Sequence, residues 1–115
     1  MIQMTRGDIV YVHNECGNSV GSEWTKDRPA IIVSNDMCNK YSPVVEVVYT
    51  TTKRRKRLLP THVIVHSTPF TSIALCEAIY SVDKCRIQRT VGQCSPKEMF
   101  QINNALVISL GLKGE

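Results

Sequence analysis

The sequence has no apolar run approaching the roughly 20 residues that span a bilayer. Residues 1–6 also lack the charged and apolar regions of a secretory leader. A membrane location is therefore not expected, and the expected compartment is the cytosol. Cysteine is present in a pattern that builds nothing: Cys16, Cys38, Cys76, Cys85 and Cys94 make an odd count of 5 with no CxxC pair. That argues against a disulfide framework and against a zinc site, so the thiols are expected to be free and mostly buried. Missing too are GxGxxG, GxxxxGK[ST] and HExxH, which leaves dinucleotide binding, nucleotide hydrolysis and zinc proteolysis without their usual signatures. No internal repeat, linker or low-complexity stretch occurs. The 115 residues and 12.9 kDa suit one domain spanning residues 1–115, and 43% hydrophobic with 21% charged residues is a globular balance.

The net charge of +4 comes from 14 Lys and Arg against 10 Asp and Glu. Five of those cations are consecutive: Lys53, Arg54, Arg55, Lys56 and Arg57. Without these five, 9 cations face 10 anions. The positive field is one patch, and a concentrated basic patch attracts a polyanion.

Short alternating pieces rich in Val, Ile, Thr and Tyr favour strands through the first three quarters of the chain. They fall at 8–14, 30–35, 44–52, 62–66, 72–80 and 85–91. The intervening stretch 15–27 holds Gly17, Asn18, Gly21 and Ser22, and reads as a long loop of the kind that often carries function. Pro29 limits pairing where the second strand begins. Near the C-terminus the period changes. Ser95, Pro96 and Glu98 supply an N-cap, a first-turn proline and a capping-box carboxylate, Met99, Ile102, Leu106 and Ser109 or Leu110 follow at helical spacing, and Gly111 stands at the C-cap. Short strands closed by one helix make a mainly β (α+β) chain: a small, strongly curved sheet or partly open barrel with the helix over one face.

Few residues are placed for chemistry. His62 and His66 sit four apart on one strand face, about 13 Å from each other and too far to share a metal; with His13 they read as structural or surface residues, and no metal or cofactor is expected. Val45, Val47, Tyr49 and Thr51 share a face, so Thr51 ends an apolar row beside the cationic run. A hydroxyl there could grip a phosphate. Glu77 shares a period-two face with Ile73, Leu75 and Ile79, which predicts a partly desolvated carboxyl with a raised pKa, suited to proton transfer. Trp24, the only tryptophan, lies in the polar loop, where an indole can stack on an exposed base or cap the core.

Several blocks in order resemble one family. RGDIVYV at 6–12, GSE-x4-RPAIIVSND at 21–36, NKYSP at 39–43, LPTHV at 59–63, SVDKCRI at 81–87 and NNALVISLGL at 103–112 are similar to the MazF/PemK toxins of bacterial toxin–antitoxin systems. The resemblance implies a PemK-like, SH3-like small barrel with a C-terminal helix, working as a homodimer. It implies a sequence-specific, metal-independent endoribonuclease that cuts single-stranded RNA, chiefly mRNA, by attack of the ribose 2′-hydroxyl on phosphorus, leaving 2′,3′-cyclic phosphate and 5′-hydroxyl ends. The implied partner is a cognate antitoxin whose acidic, initially disordered C-terminal segment competes with RNA for the basic loop.

By the same resemblance, Arg28 matches the catalytic arginine, with bidentate phosphate stabilisation as its role and proton donation as a more demanding second one. Thr51 matches the catalytic threonine, which holds the scissile phosphate in line. Ser22 and Glu23 fall in the loop flanking the site. Glu23 and Glu77 are both candidate bases. Ser22, Trp24, Thr52, Lys53, Arg54, Arg55, Lys56 and Arg57 form the expected RNA-contacting set. The family's EQ-x-[RK] segment is replaced by Glu77, Ala78, Ile79 and Tyr80, GSEQ becomes GSEW, the segment between His66 and Ile73 is shorter and the basic run is more cationic. Altered base preference is the expected result. The alternative is a non-catalytic RNA- or antitoxin-binding homologue, or a gyrase-directed toxin of the related fold; the ending 111–115 lacks the aromatic tip of such gyrase poisons.

Overall fold

The computed structural model describes residues 3–13, 27–53 and 56–112. Six strands, β1 (Asp8–Val12), β2 (Arg28–Ile32), β3 (Val44–Thr51), β4 (His62–Val65), β5 (Ser72–Asp83) and β6 (Ile87–Gln93), form one antiparallel sheet in the order β4-β5-β3-β2-β1-β6. Two helices, α1 (Asp36–Tyr41) and α2 (Pro96–Leu110), complete the described chain.

Strand alternation sorts the apolar side chains onto the two faces of this curved sheet. Ile9, Ile31, Val48, Val65 and Ala74 face one way and bury Ile102, Ala105 and Leu106 of α2. Their chain neighbours Val10, Val12, Ala30, Ile32, Val47 and Tyr49 fill the inside of the curl. The expected mainly β, SH3-like barrel backed by a C-terminal helix is the observed architecture.

The helix α2 follows its local signals closely. The Ser95 hydroxyl accepts the Glu98 N–H at 3.1 Å, Glu98 Oε1 accepts the Ser95 N–H at 2.9 Å, and Gly111 caps the end at φ 68°. The apolar row fades before it ends, because Leu110 is exposed. Glu98 does more than cap. Its Oε2 accepts the His66 N–H at 2.7 Å and its Oε1 the Ser67 hydroxyl at 2.6 Å, which ties the chain leaving β4 to the start of α2. Gly92 allows β6 to pass close by, since a Cβ there would stand 2.9 Å from the Ser67 carbonyl oxygen.

Several strand boundaries differ from the sequence reading, chiefly around β2, β5 and β6. β2 begins at Arg28 and pairs with β1 across Pro29, but pairing with β3 starts only at Ala30, as a proline without an N–H requires. β5 continues to Asp83, and a 3₁₀ turn over Lys84–Arg86 delays β6 to Ile87. The helix α1 was not foreseen; Asn35 caps it by accepting the Cys38 N–H at 2.8 Å. The cysteines also depart from expectation: Cys76 and Cys94 are buried, while Cys38 and Cys85 are exposed. Burial, then the charge of Glu77, raises the Cys76 thiol to about 11, and burial with the charge of Glu98 raises Cys94 to about 12. Both are protonated and unreactive at neutral pH.

Candidate active site at the rim of the barrel

Arg28 opens β2 and Thr51 closes β3. The β2–β3 register runs Ile32↔Val47, Ile31↔Val48, Ala30↔Tyr49, and continued past Pro29 it sets Arg28 across from Thr51. The Thr50 hydroxyl donates to the Pro29 carbonyl at 3.4 Å and holds the two strands together at that step. Arg28 alternates with Ala30 and Ile32, and Thr51 with Tyr49, Val47 and Val45, so both side chains belong to the inner face at one end of the curl. The row that the spacing assigned to β3 is the observed one.

Beneath the pair lies a ring contact. The Arg28 guanidinium sits over the Tyr49 ring, 4.8 Å from its centroid, and Tyr49 meets Tyr80 edge to face at 5.3 Å and 69°. Tyr49 is buried and Tyr80 exposed. Burial raises the Tyr49 phenol above its ordinary 10.0, against the pull of Arg86 and Arg28. Arg86 is held there by a reciprocal clasp, its Nε donating to the His13 carbonyl at 2.9 Å while the His13 N–H donates to the Arg86 carbonyl at 2.8 Å. His13 in turn bonds Asp27 at 2.8 Å, one residue before Arg28.

On the other side of Thr51 a cleft of about 450 Å³ is lined by Thr52, Lys53, Leu58, Ile64, Ser72 and Ile73, among others. Thr51 Oγ1 accepts the Lys53 N–H at 3.2 Å, which turns the chain out of β3 and starts the basic run. Thr52, Lys53, Lys56 and Arg57 are exposed. Arg54 and Arg55 of that run, and Ser22, Glu23 and Trp24, lie outside the described residues.

Glu77 overturns its sequence reading. It is not packed on an apolar face, and its carboxyl is not raised. The β3–β5 pairing shifts between Val48↔Ile79 and Thr50↔Ala74, so β5 carries extra residues there and alternation breaks beyond Glu77, leaving Ile79 on the face of Ala74 and Cys76 rather than beside Glu77. The side chain, 42% exposed, turns toward the start of β4, where Oε1 accepts the Thr61 hydroxyl at 2.8 Å and Oε2 lies 3.1 Å from His62 Nε2. His62 Nδ1 accepts the Leu59 N–H at 3.1 Å, so the ring proton resides on Nε2 and is donated to Glu77. Burial would raise the carboxyl, but the bonds from Thr61, its own backbone and His62 outweigh it, and the pKa lies below the usual carboxylate value. Glu77 is ionised at neutral pH.

The structure thus sets Arg28 and Thr51 at the same end of neighbouring strands, sets the described cations just after Thr51, and gives Glu77 its partners Thr61 and His62 at the start of β4. Tyr49, Tyr80, Arg86 and His62 are the site's neighbours that spacing alone did not single out. Tyr49 was legible only as a member of an apolar row. Among the described residues no group of three or more His, Cys, Asp or Glu is placed to hold a metal ion, and no helix is long and apolar enough to cross a membrane.

Residues 5–110 match the model of the PemK-like, MazF-like toxins of type II toxin–antitoxin systems. The chain belongs to that family. An endoribonuclease MazF from Staphylococcus saprophyticus subsp. saprophyticus is 38% identical over 113 residues, covering 95% of this chain and 92% of the relative. Among solved structures, a mycobacterial endoribonuclease in complex with its cognate antitoxin superimposes with a TM-score of 0.80 at 28% identity, over 97% of this chain and 99% of that one. The MazF of a MazE–MazF crystal structure from Deinococcus radiodurans gives a TM-score of 0.81 over 98% and 100% of the two chains; at 16% identity it speaks for the fold alone. Arg28 and Thr51 of this MazF-like toxin both lie within the matched residues.

Proposed function

We infer that this MazF-like toxin is a sequence-specific endoribonuclease that cuts single-stranded RNA, chiefly mRNA, without a metal ion. The observation that carries the reading is that Arg28 opens β2 and Thr51 closes the neighbouring antiparallel β3, at the same end of the pair and at the head of an exposed cationic segment. The name of the 38% identical relative, an endoribonuclease, supports it.

Each group has a task in strand cleavage. The 2′-hydroxyl oxygen gives its proton to a base and forms a bond to phosphorus as the bond to the 5′-oxygen breaks, and the departing oxygen takes a proton from Arg28 or water, giving a 2′,3′-cyclic phosphate and a 5′-hydroxyl. The Arg28 guanidinium meets two phosphate oxygens at once, and its charge is worth most where negative charge builds up in the transition state. The Thr51 oxygen accepts the Lys53 N–H, and its own proton is left to donate to the phosphate. Glu77 is ionised and accepts hydrogen bonds, but its lowered pKa makes it a weak base; Glu23 is the other candidate to take the 2′-hydroxyl proton. Thr52, Lys53, Arg54, Arg55, Lys56 and Arg57 hold flanking phosphates, while Ser22 and Trp24 border the reacting nucleotide. The protein acts in the cytoplasm as a homodimer and is neutralised by an antitoxin whose acidic C-terminal segment occupies the basic groove.

The test is a varied single-stranded RNA pool incubated with purified protein in chelator, beside a DNA supercoiling assay. Cleavage with cyclic phosphate ends, and resistance of duplex RNA, are expected. An RNA pool left intact at micromolar protein would overturn the reading, and altered supercoiling would favour the gyrase-directed alternative.

A further inference from the structure

We propose that Tyr80 is a base-stacking platform, which holds a nucleobase beside the phosphate held by Arg28. The inference rests on the RNA-cleaving reading and names a residue for substrate binding at the same site. Three groups form one chain of ring contacts across β2, β3 and β5: the Arg28 guanidinium over Tyr49 at 4.8 Å, and Tyr49 edge to face with Tyr80 at 5.3 Å. The two ends differ. Tyr49 is 6% exposed and serves as the wedge, whereas Tyr80 is 52% exposed and offers its ring to solvent. The pairing Val47↔Tyr80 puts that ring on the same inner face as Arg28 and Thr51.

The chemistry fits a nucleobase. Tyr80 lies two ring contacts from Arg28. Arg28 and Arg86 both act electrostatically on Tyr49, so a polyanion is drawn to the place where the exposed ring waits. Single-stranded RNA presents unstacked bases, and a base on an aromatic ring gains about 1–3 kcal/mol. Where the family resemblance leads one to expect a cation at position 80, this chain has a ring. Recognition there is by stacking and carries no dependence on salt.

The experiment is a coupling cycle between protein and RNA. The probe is a short oligonucleotide spanning a mapped cut, with 2′-deoxyribose at the scissile nucleotide and an abasic residue moved along it one position at a time. In the wild-type protein one abasic position should weaken binding about tenfold. In Tyr80→Ala that penalty should vanish while the slope of affinity against salt stays the same; Tyr80→Phe should restore the penalty. Tyr41→Ala, which removes an exposed tyrosine that carries Lys40 on its ring at 5.3 Å, should leave the abasic penalty in place. An undiminished penalty in Tyr80→Ala, or a changed salt slope without loss of the penalty, overturns the proposal. Should the wild-type protein make no cut, the nuclease reading fails separately, and the comparison is run with oligoadenylate and oligouridylate. Weaker binding by Tyr80→Ala would then uphold the platform, and equal binding, or no binding by either protein, would reject it.

Discussion

The start of α2 and the bulge of β5 each hold a glutamate below the ordinary carboxylate range, and they do so for different ends. Burial raises Glu98, but bonds from Ser67, Ser95 and His66 more than offset it, and the residue is buried. Glu77 is set between Thr61 and His62 by the same means, yet 42% of its side chain faces water. A carboxylate with all its lone pairs spent inside the protein can only hold elements together. One that is oriented and still open can meet a substrate. Exposure separates the two roles where direction of pKa shift does not.

The largest effect belongs to the open side of this contrast. Arg28→Ala should lower RNA cleavage by about 10²–10³-fold, as loss of a transition-state donor does, and Thr51→Ala by a smaller factor, with melting temperatures near that of wild type; initial rates on a labelled transcript check both. Next comes the closed side. Glu98→Ala removes the acceptor for four donors and should cost about 2–3 kcal/mol in urea unfolding, with cleavage per folded molecule retained. If Glu98→Ala instead abolishes cleavage in folded protein, the contrast collapses.

Acid should act on both glutamates. Their folded pKa values lie below the unfolded value of about 4.5, so the stabilisation is complete above that pH and is lost as pH falls through the folded values. Thermal melts should drop in that window, and less steeply for Glu98→Gln, which has no proton to take up. The smallest effect is expected from Thr61→Val. It removes one bond from Glu77 and should move the acidic limb of the cleavage profile upward by less than about one pH unit, with stability nearly unchanged.

How much of this was legible depended on the range of the signal. The residues that start and stop α2 act on the backbone within four positions of themselves, so Ser95, Pro96, Glu98 and Gly111 could be read directly. Alternation over 44–52 placed Thr51 because β3 is regular up to its end. Glu77 was misread because the bulge is a property of two strands together; nothing in the β5 sequence says that Val48 and Thr50 meet partners five residues apart. Asn35 and Asp36 carried the start of α1 in the sequence, but a helix of 6 residues is too short for periodicity to reveal. The Arg28–Tyr49–Tyr80 chain of contacts joins three strands, and no single window contains it. Family resemblance supplied roles for Arg28 and Thr51, whereas the pairing supplies their proximity.

The slack in β5 has a consequence for how such a protein can change. Arg28 and Thr51 are aligned by β2 and β3, a ladder that the extra residues of β5 do not enter. Adding or deleting one residue in that stretch would turn Tyr80 to the opposite face, or bring a different side chain into its place, while the pair across the neighbouring ladder kept its alignment. Reagent and reader are thus mounted on separate rails, and the vocabulary of sites could be rewritten by a change in length alone.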